Sequence, residues 1–309
     1  MKIVVTGASS HLARVLIPRL LQDPGITELA AIDWRPCSYP DSRFRMHQMD
    51  IRSEAVAGVL AGANAVIHLA FVVLRGDLGE ARKDRALMRS INVDGSCQLF
   101  EWARAAGVPT LIHSSSASVY HQDGSARPLV EEDTLGPVPG FLYAHDKADV
   151  ERWLDSFENQ DPQGPRVVRL RPHGIVGPHS QPAVRRLVRT HLYPRFANPQ
   201  PLLQCVHEDD VADAFVLALH RPVRGAFNLA PDDALSIRAM VTRRRLHCGI
   251  PFDWLEWMAR MSWQLLPDGV DPSWLPALRR SLVLSNVRAR TVLGWQPQHA
   301  TVMQCLGQG

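Results

Sequence analysis

Tyr143 and Lys147 stand four residues apart in the segment Tyr143-Ala144-His145-Asp146-Lys147. On a helix that spacing puts both side chains on one face. A phenol ordinarily titrates near pH ~10. A neighbouring cation, with an oxidised nicotinamide close by, lowers that value toward a working pH, as proton transfer requires. The chain has only three lysines, Lys2, Lys83 and Lys147, so a lysine at this position is informative. Ser116 ends the run His113-Ser114-Ser115-Ser116, 27 residues before Tyr143. Its hydroxyl is placed to hold a reacting oxygen. An isolated Tyr/Lys pair at this spacing is an ordinary feature of a helix surface. The serine run before it supplies the second reason to read the pair as chemical.

A second constellation opens the chain. Thr6-Gly7-Ala8-Ser9-Ser10-His11-Leu12-Ala13 follows the apolar run Ile3 to Val5. A dinucleotide pyrophosphate needs a tight turn, close backbone approach and a helix N-terminus aimed at it. Gly7 meets the first need. Ser10 and Ala13 stand where glycines are expected at three-residue spacing, and Ala13 is small enough for close helix–strand packing. Ser10 is the departure: its Cβ crowds a phosphate, or its hydroxyl bonds to one. Asp33 ends the second apolar run. A carboxylate there holds ribose hydroxyls and repels a 2′-phosphate, which favours NAD over NADP; Arg35 acts against that preference. Asp50 ends a third run. It either reaches the adenine or caps the helix that begins after Ser53.

These residues need a frame, and the frame is an alternation. Strands are expected at Ile3–Val5, Leu29–Ile32, Phe44–Met49, Ala65–Ala70, Thr110–His113 and Arg166–Leu170. Helices are expected after Leu12, at Ala55–Leu60, from about Gly79 to Ala106, and at Phe141–Phe157. Pro18 is a possible disturbance in the first helix. Alternation over about 170 residues predicts an α/β fold, a Rossmann-type doubly wound parallel sheet, with ligands at the strand C-terminal ends. After Arg171 the prolines cluster, and five of the eight tryptophans fall at Trp254, Trp257, Trp263, Trp274 and Trp295. This predicts a smaller C-terminal substrate lobe. The division is residues 1–172 plus about 204–230 for NAD, and 173–203 with 231–309 for substrate. The late tryptophans either pack a small core or line an apolar cleft.

Composition narrows the classes. The 309 residues are 46% hydrophobic and 21% charged, as in globular proteins, which excludes a disordered or collagen-like chain. A net charge of +3 gives no reason to expect nucleic acid or an anionic membrane as partner. The triplet Arg243-Arg244-Arg245 reads as a solvated helix face. Cys37, Cys97, Cys205, Cys248 and Cys305 have no C-x-x-C spacing, so they read as plain thiols in a reducing compartment. No apolar run reaches the roughly 18 residues of a membrane span. The histidines have no ligand spacing, so no metal is expected. No Gly-x-Ser-x-Gly elbow supports a serine hydrolase. The expected location is the cytoplasm.

With these motifs assembled, the chain resembles the extended short-chain dehydrogenase/reductases, the NAD-dependent epimerase/dehydratase family. The resemblance also rests on Asp50-Ile51, His68-Leu69-Ala70, Asn92-Val93-Asp94-Gly95, Leu170-Arg171-Pro172 through Gly177-Pro178, Val206-His207-Glu208-Asp209-Asp210-Val211-Ala212, Phe227-Asn228-Leu229 and Leu293-Gly294-Trp295. It implies that Tyr143 is the general acid/base, that Lys147 tunes it and binds the nicotinamide ribose, that Ser116 polarises the reacting oxygen, and that Asn92 supports the site. It implies NAD contacts from Gly7, Ser9, Ser10, His11, Leu12, Asp33, Asp50, Ile51, Leu69, Ala70, Ser114, Tyr143, Lys147, Pro172, Gly174 and Ile175. It also implies a homodimer through the helices near 79–106 and 141–158.

Departures from the family pattern bear on the substrate. Gly174 stands where sugar-nucleotide epimerases carry an asparagine, and Leu203 where they carry an arginine. Arg185, Arg186 or Arg189 is left to meet a diphosphate. Ala117 and Ser118 replace the Asp-Glu pair of dehydratases. The resulting reading is an NAD-dependent oxidoreductase acting at a secondary alcohol or ketone on a small-molecule substrate. A nucleotide-sugar epimerase is the alternative, and a non-catalytic dinucleotide-binding regulator is the third.

Overall fold

The computed structural model describes residues 1–72, 84–180, 192–196, 199–241, 248–265 and 272–307. Its centre is a seven-stranded sheet. We label the strands β1 (Lys2–Thr6), β2 (Glu28–Asp33), β3 (Phe44–Gln48), β4 (Ala65–His68), β5 (Thr110–Ser114), β6 (Arg166–Pro172) and β7 (Gly225–Leu229). Their order is β7-β6-β5-β4-β1-β2-β3, and every pairing is parallel. The helices that position the site are α1 (Ala13–Gln22), α2 (Ala55–Leu60), α3 (Arg85–Arg89), α4 (Gly95–Ala105), α5 (Leu142–Gln160) and α6 (Glu208–His220).

The strands are central because both of their faces are apolar. Ile3, Val4 and Val5 are all fully buried. Alternate residues of a strand point to opposite faces. Accordingly Ile3 and Val5 join one cluster with Leu16, Ile17 and Leu20 of α1 and Val211, Phe215 and Ala218 of α6. Val4 joins the opposite cluster with Val56 and Leu60 of α2, Leu99 and Phe100 of α4, and Val150 and Leu154 of α5. Each face thus has its own layer of helices, which is why the strands read as continuous apolar runs.

Register fixes where the chemistry falls. Thr6 lies opposite Ile32 on one side and His68 on the other. The chain winds from β1 outward through β2 and β3, then returns to β4 on the other side of β1. The crevice between β1 and β4 is therefore the topological switch point of the sheet, where ligands of such folds bind.

The expected strand cores are present, with ends moved by one or two residues. Pro18 lies within α1 without ending it. The long helix expected from Gly79 is described from Arg85, and Ser90–Asp94 forms a π-helical turn between α3 and α4. Beyond β6 the chain makes short pairings: Ile175–Val176 with Val206–His207, and Leu202–Leu203 with Leu235–Ser236. Among the described residues no helix is long and apolar enough to cross a membrane.

Candidate active site

The turn after β1 is built for close approach. Gly7 has φ +71°, a conformation that costs any residue with a Cβ. A Cβ there would also lie 2.5 Å from Ala70 N and 2.6 Å from Leu69 C. Gly7 is therefore required twice, by its own backbone and by the chain leaving β4. Its N–H donates to Ile32 O at 2.8 Å, which closes the turn across the sheet edge. The Ser10 hydroxyl accepts from Ala13 N at 3.3 Å, at the entry to α1. His11 and Leu12 lead into α1, and Leu12 packs on the core.

Asp33, 5% exposed, accepts from Ser9 N and from Arg35 N, each at 2.9 Å. A carboxylate has about four acceptor sites, so this geometry leaves capacity for a diol. Ser9 Oγ is fixed separately, on Arg35 O at 2.8 Å. A cleft of about 420 Å³ opens beside this turn, lined by Ser9, Arg14, Cys37, Tyr39 and His179 among others. Asp50 does not cap α2. Its carboxylate is engaged by Arg52, from the backbone at 2.9 Å and the guanidinium at 2.6 Å. Ile51 is buried beneath Gly95 in the core.

The serine run meets α5 residue by residue. Lys147 Nζ donates to Ser114 O at 2.5 Å. Ser115 Oγ donates to Glu151 Oε1. The Ser116 hydroxyl acts on the Tyr143 phenol, drawing its pKa down, and lies 2.9 Å from Ser118 Oγ. Tyr143, Lys147 and Glu151 occupy successive turns of one helix face, so the i, i+4 spacing extends to a third residue. Ser116 also accepts from Ser118 N at 3.2 Å, which fixes its hydroxyl at the start of the turn Ala117–Val119.

The electrostatics differ from expectation. Burial pushes the Tyr143 phenol up to about 12, with the Ser116 hydroxyl acting the other way. Burial pulls the Lys147 ammonium down to about 7, against the nearby Glu151 and Asp146 carboxylates. The expected lowering of the phenol needs an oxidised nicotinamide beside Lys147 as well as the lysine itself. The Lys147 Nζ is 6.0 Å from the Tyr143 ring centroid and 3.6 Å from that of Phe71.

Asn92 lies in the π-helical turn, an irregularity common at functional sites. It is fully buried and clamps Val72, accepting from its N at 2.7 Å and donating to its O at 3.1 Å. Its amide also donates to Asp146 at 3.1 Å, and Asp146 is paired with Arg85. A polar thread runs beneath. Thr6 Oγ1 lies 2.6 Å from His68 Nδ1, His68 Nε2 lies 2.8 Å from Ser96 Oγ, and Ser96 donates to Asn92 O at 2.5 Å. Ser96 spends its proton on that carbonyl, so His68 carries its proton on Nε2 and accepts from Thr6. Burial holds His68 at about 3, hence neutral.

At the end of β6, Pro172 leads to His173, whose ring accepts from Gly174 N at 2.7 Å. A Cβ at Gly174 would meet nothing within 4 Å. Ile175 pairs with Val206. Leu203 is buried with Leu282 and Leu284. His207, Asp209 and Asp210 belong to a helix start: His207 caps α6, and Asp210 accepts from Gln298 N and His299 N. The late tryptophans divide. Trp295 is fully buried, with its N–H on Asp210 O, while Trp254 and Trp257 are exposed. Trp274 stacks on Tyr143, ring centroids 5.5 Å apart at 22°, and its Nε1 is buried without a partner among the described residues. Phe71 and Phe141 complete an aromatic wall around the phenol. Sequence reasoning named none of these as neighbours of Tyr143, and no spacing signal marks them. Arg185, Arg186, Arg189 and the triplet at 243–245 lie outside the described residues. Among the described residues no cluster of His, Cys, Asp and Glu could hold a metal ion.

Known proteins match this chain over most of its length. Residues 3–230 match the NAD dependent epimerase/dehydratase family. The chain belongs to that family and is an NAD-dependent enzyme. A UDP-glucose 4-epimerase of Mycolicibacterium smegmatis is 28% identical, over 97% of this chain and 95% of that protein. Among solved structures, MoeE5 in complex with UDP-glucuronic acid and NAD superposes with a TM-score of 0.75 at 22% identity, covering 100% of this chain and 97% of that one. The UDP-glucose 4-epimerase of Thermotoga maritima with UDP-glucose gives 0.74 at 18% identity, covering 100% and 98%. At those identities the superpositions speak for the fold.

Proposed function

We propose that this chain moves a hydride between a secondary alcohol or ketone and NAD, with Tyr143 as general acid/base. The observation that carries the reading is the alignment of the serine run with one face of α5, where Lys147 donates to Ser114 O, Ser115 donates to Glu151, and Tyr143 stands one turn before Lys147. The residues at the switch point fit the cofactor. Gly7 leaves a cradle that a Cβ would fill, and Asp33 keeps acceptor capacity for ribose hydroxyls. Gly7, Ser9, Ser10, His11 and Leu12 would receive the pyrophosphate, and Leu69, Ala70, Ser114, Pro172, Gly174 and Ile175 would line the nicotinamide side. Bound NAD supplies the hydride acceptor. Ser116 holds the substrate oxygen, and Tyr143 Oη takes its proton on oxidation or returns it on reduction. Asn92 keeps the π-helical turn, Val72 and Asp146 in one arrangement. The aromatic wall limits water around the phenol. We assign residues 1–172 and about 204–230 to NAD, and 173–203 with 231–309 to substrate. A homodimer in the cytoplasm completes the reading.

A second reading is a nucleotide-sugar epimerase, favoured by the 28% identical UDP-glucose 4-epimerase. Leu203 and Gly174 argue against it, because two polar contacts to a diphosphate are missing there. Titration of the protein with NAD, NADP and UDP-glucose, followed by an assay for free NADH, separates the readings. Net NADH from an alcohol substrate supports the oxidoreductase. Interconversion of UDP-glucose with no net NADH supports the epimerase. If neither NAD nor NADP binds, both readings fail.

A further inference from the structure

Phe71 follows directly on Leu69 and Ala70, at the mouth of the crevice between β1 and β4. Its ring touches both members of the Tyr143/Lys147 pair. The Lys147 Nζ lies 3.6 Å from the Phe71 centroid, and the Phe71 and Tyr143 rings meet edge to face at 5.5 Å and 86°. At 3.6 Å an ammonium is in van der Waals contact with the ring, so no hydroxyl fits between them. An ammonium has three N–H donors. Ser114 O takes one at 2.5 Å. The Phe71 face occupies the direction of a second, as a cation–π contact. One donor remains for a ribose diol.

The backbone on both sides of Phe71 is fixed. Ala70 N donates to Thr6 Oγ1 at 3.4 Å, and Val72 is held at both its N and its O by Asn92. Any departure of the ring from Lys147 must therefore come from rotation of its side chain rather than from movement of the chain around it.

We propose that Phe71 is a displaceable cap on Lys147, and that full engagement of the nicotinamide ribose by this lysine requires the Phe71 ring to swing off the ammonium. Cofactor binding then does two things at once: it replaces the aromatic face with ribose oxygens, and it releases the lysine charge toward the phenol. The inference rests on the reading of Lys147 as the ribose ligand, so the test treats the two separately.

The experiment is a double-mutant cycle on NAD affinity, measured by isothermal titration, with Phe71→Leu, Lys147→Met and the double variant. Removal of the cap is expected to tighten NAD by roughly 5- to 30-fold, the range for losing a competing cation–π contact. In the Lys147→Met background the same substitution is expected to give no gain. Phe71→Met, which keeps the bulk without an aromatic face, gives an independent measure of the same difference. A Phe71→Leu protein that binds NAD no more tightly than wild type overturns the cap. An equal gain in both backgrounds overturns it too, since the ring would then obstruct the cofactor by bulk alone. If Lys147→Met leaves NAD affinity untouched, the ribose reading of Lys147 fails, and the cap falls with it.

Discussion

Each side chain proposed to act in the chemistry also carries a structural contact. Ser116 acts on the Tyr143 phenol and caps the following turn, and Lys147, proposed to hold the nicotinamide ribose, ties α5 to β5. Tyr143→Phe removes the proton carrier but leaves the ring in its aromatic wall. It is expected to lower kcat by about 10²- to 10⁴-fold with NAD binding unchanged, as titration of the variant with NAD would check. With its phenol near 12, Tyr143 is protonated at neutral pH, so reduction is favoured there and the oxidation rate climbs with pH. Lys147 has the opposite displacement. Its folded value of about 7 lies below the ordinary 10.5, so the folded state binds fewer protons than the unfolded one between those values. Stability is therefore penalised fully below about 7, and the penalty fades as pH rises toward 10.5. Lys147→Met should raise Tm relative to wild type most below pH 7, and the advantage should vanish above 10.5; a Tm difference independent of pH would contradict a strained ammonium.

Elements are held in register by a buried ionic core beneath the site. Arg171 of β6 reaches Glu151 of α5 at 2.5 Å, both nearly inaccessible, and continues to Tyr120 at 2.6 Å, which donates to Asn228 of β7 at 2.7 Å. Removal of one partner strands the other charge, so Glu151→Ala is expected to cost about 3–5 kcal/mol, read from urea denaturation. Loss of below 1 kcal/mol, about the value of an exposed pair, would mean that water reaches the site. Gly7→Ala tests the turn instead. The left-handed conformation alone costs roughly 1–2 kcal/mol, and the new Cβ must push against Ala70 at 2.5 Å. NAD binding should be lost while far-ultraviolet dichroism stays native; unchanged affinity would remove Gly7 from the cofactor site. These elements were legible in the sequence where burial is two-sided, as in Ile3–Val5 or Ala65–His68, because such strands must be apolar throughout. Tyr143, Lys147 and Ser116 were legible because one helix periodicity and one strand link them. The π-helical turn at Ser90–Asp94 was not, since the shift of about 100° that one extra residue brings falls between helical segments too short to show two separate apolar stripes. Phe71 and Trp274 were not, because aromatic residues serve cores everywhere, and only folding brings these two to the phenol.

At the scale of the whole molecule, the remaining question is what covers the helical layer formed by α4 and α5. Trp102 and Trp153 pack on the core beneath this layer but stay partly exposed, as do Ile91 and Cys97. Trp153 stacks on Phe100, and Arg104 lies 4.5 Å from the Phe157 ring centroid, so the layer is rigid and aromatic. A second copy offering the same helices about a two-fold axis would cover it, since an isologous interface needs only one self-complementary patch. A stable pair should bury about 800 Å² on each side. Sedimentation equilibrium is expected to give twice the 34.4 kDa chain mass. Trp102→Arg, which sets like charges against one another across such an axis, is expected to return the mass to that of one chain with NAD affinity retained. Because α5 also carries Tyr143 and Lys147, a dimer of this kind would brace the catalytic helix from behind, and the monomeric variant should lose kcat more than KM. A wild-type chain that stays monomeric at micromolar concentration would leave α5 supported only from within its own chain, by its core residues Val150 and Leu154 and by Lys147, Glu151 and Asp146, and the homodimer reading would be abandoned.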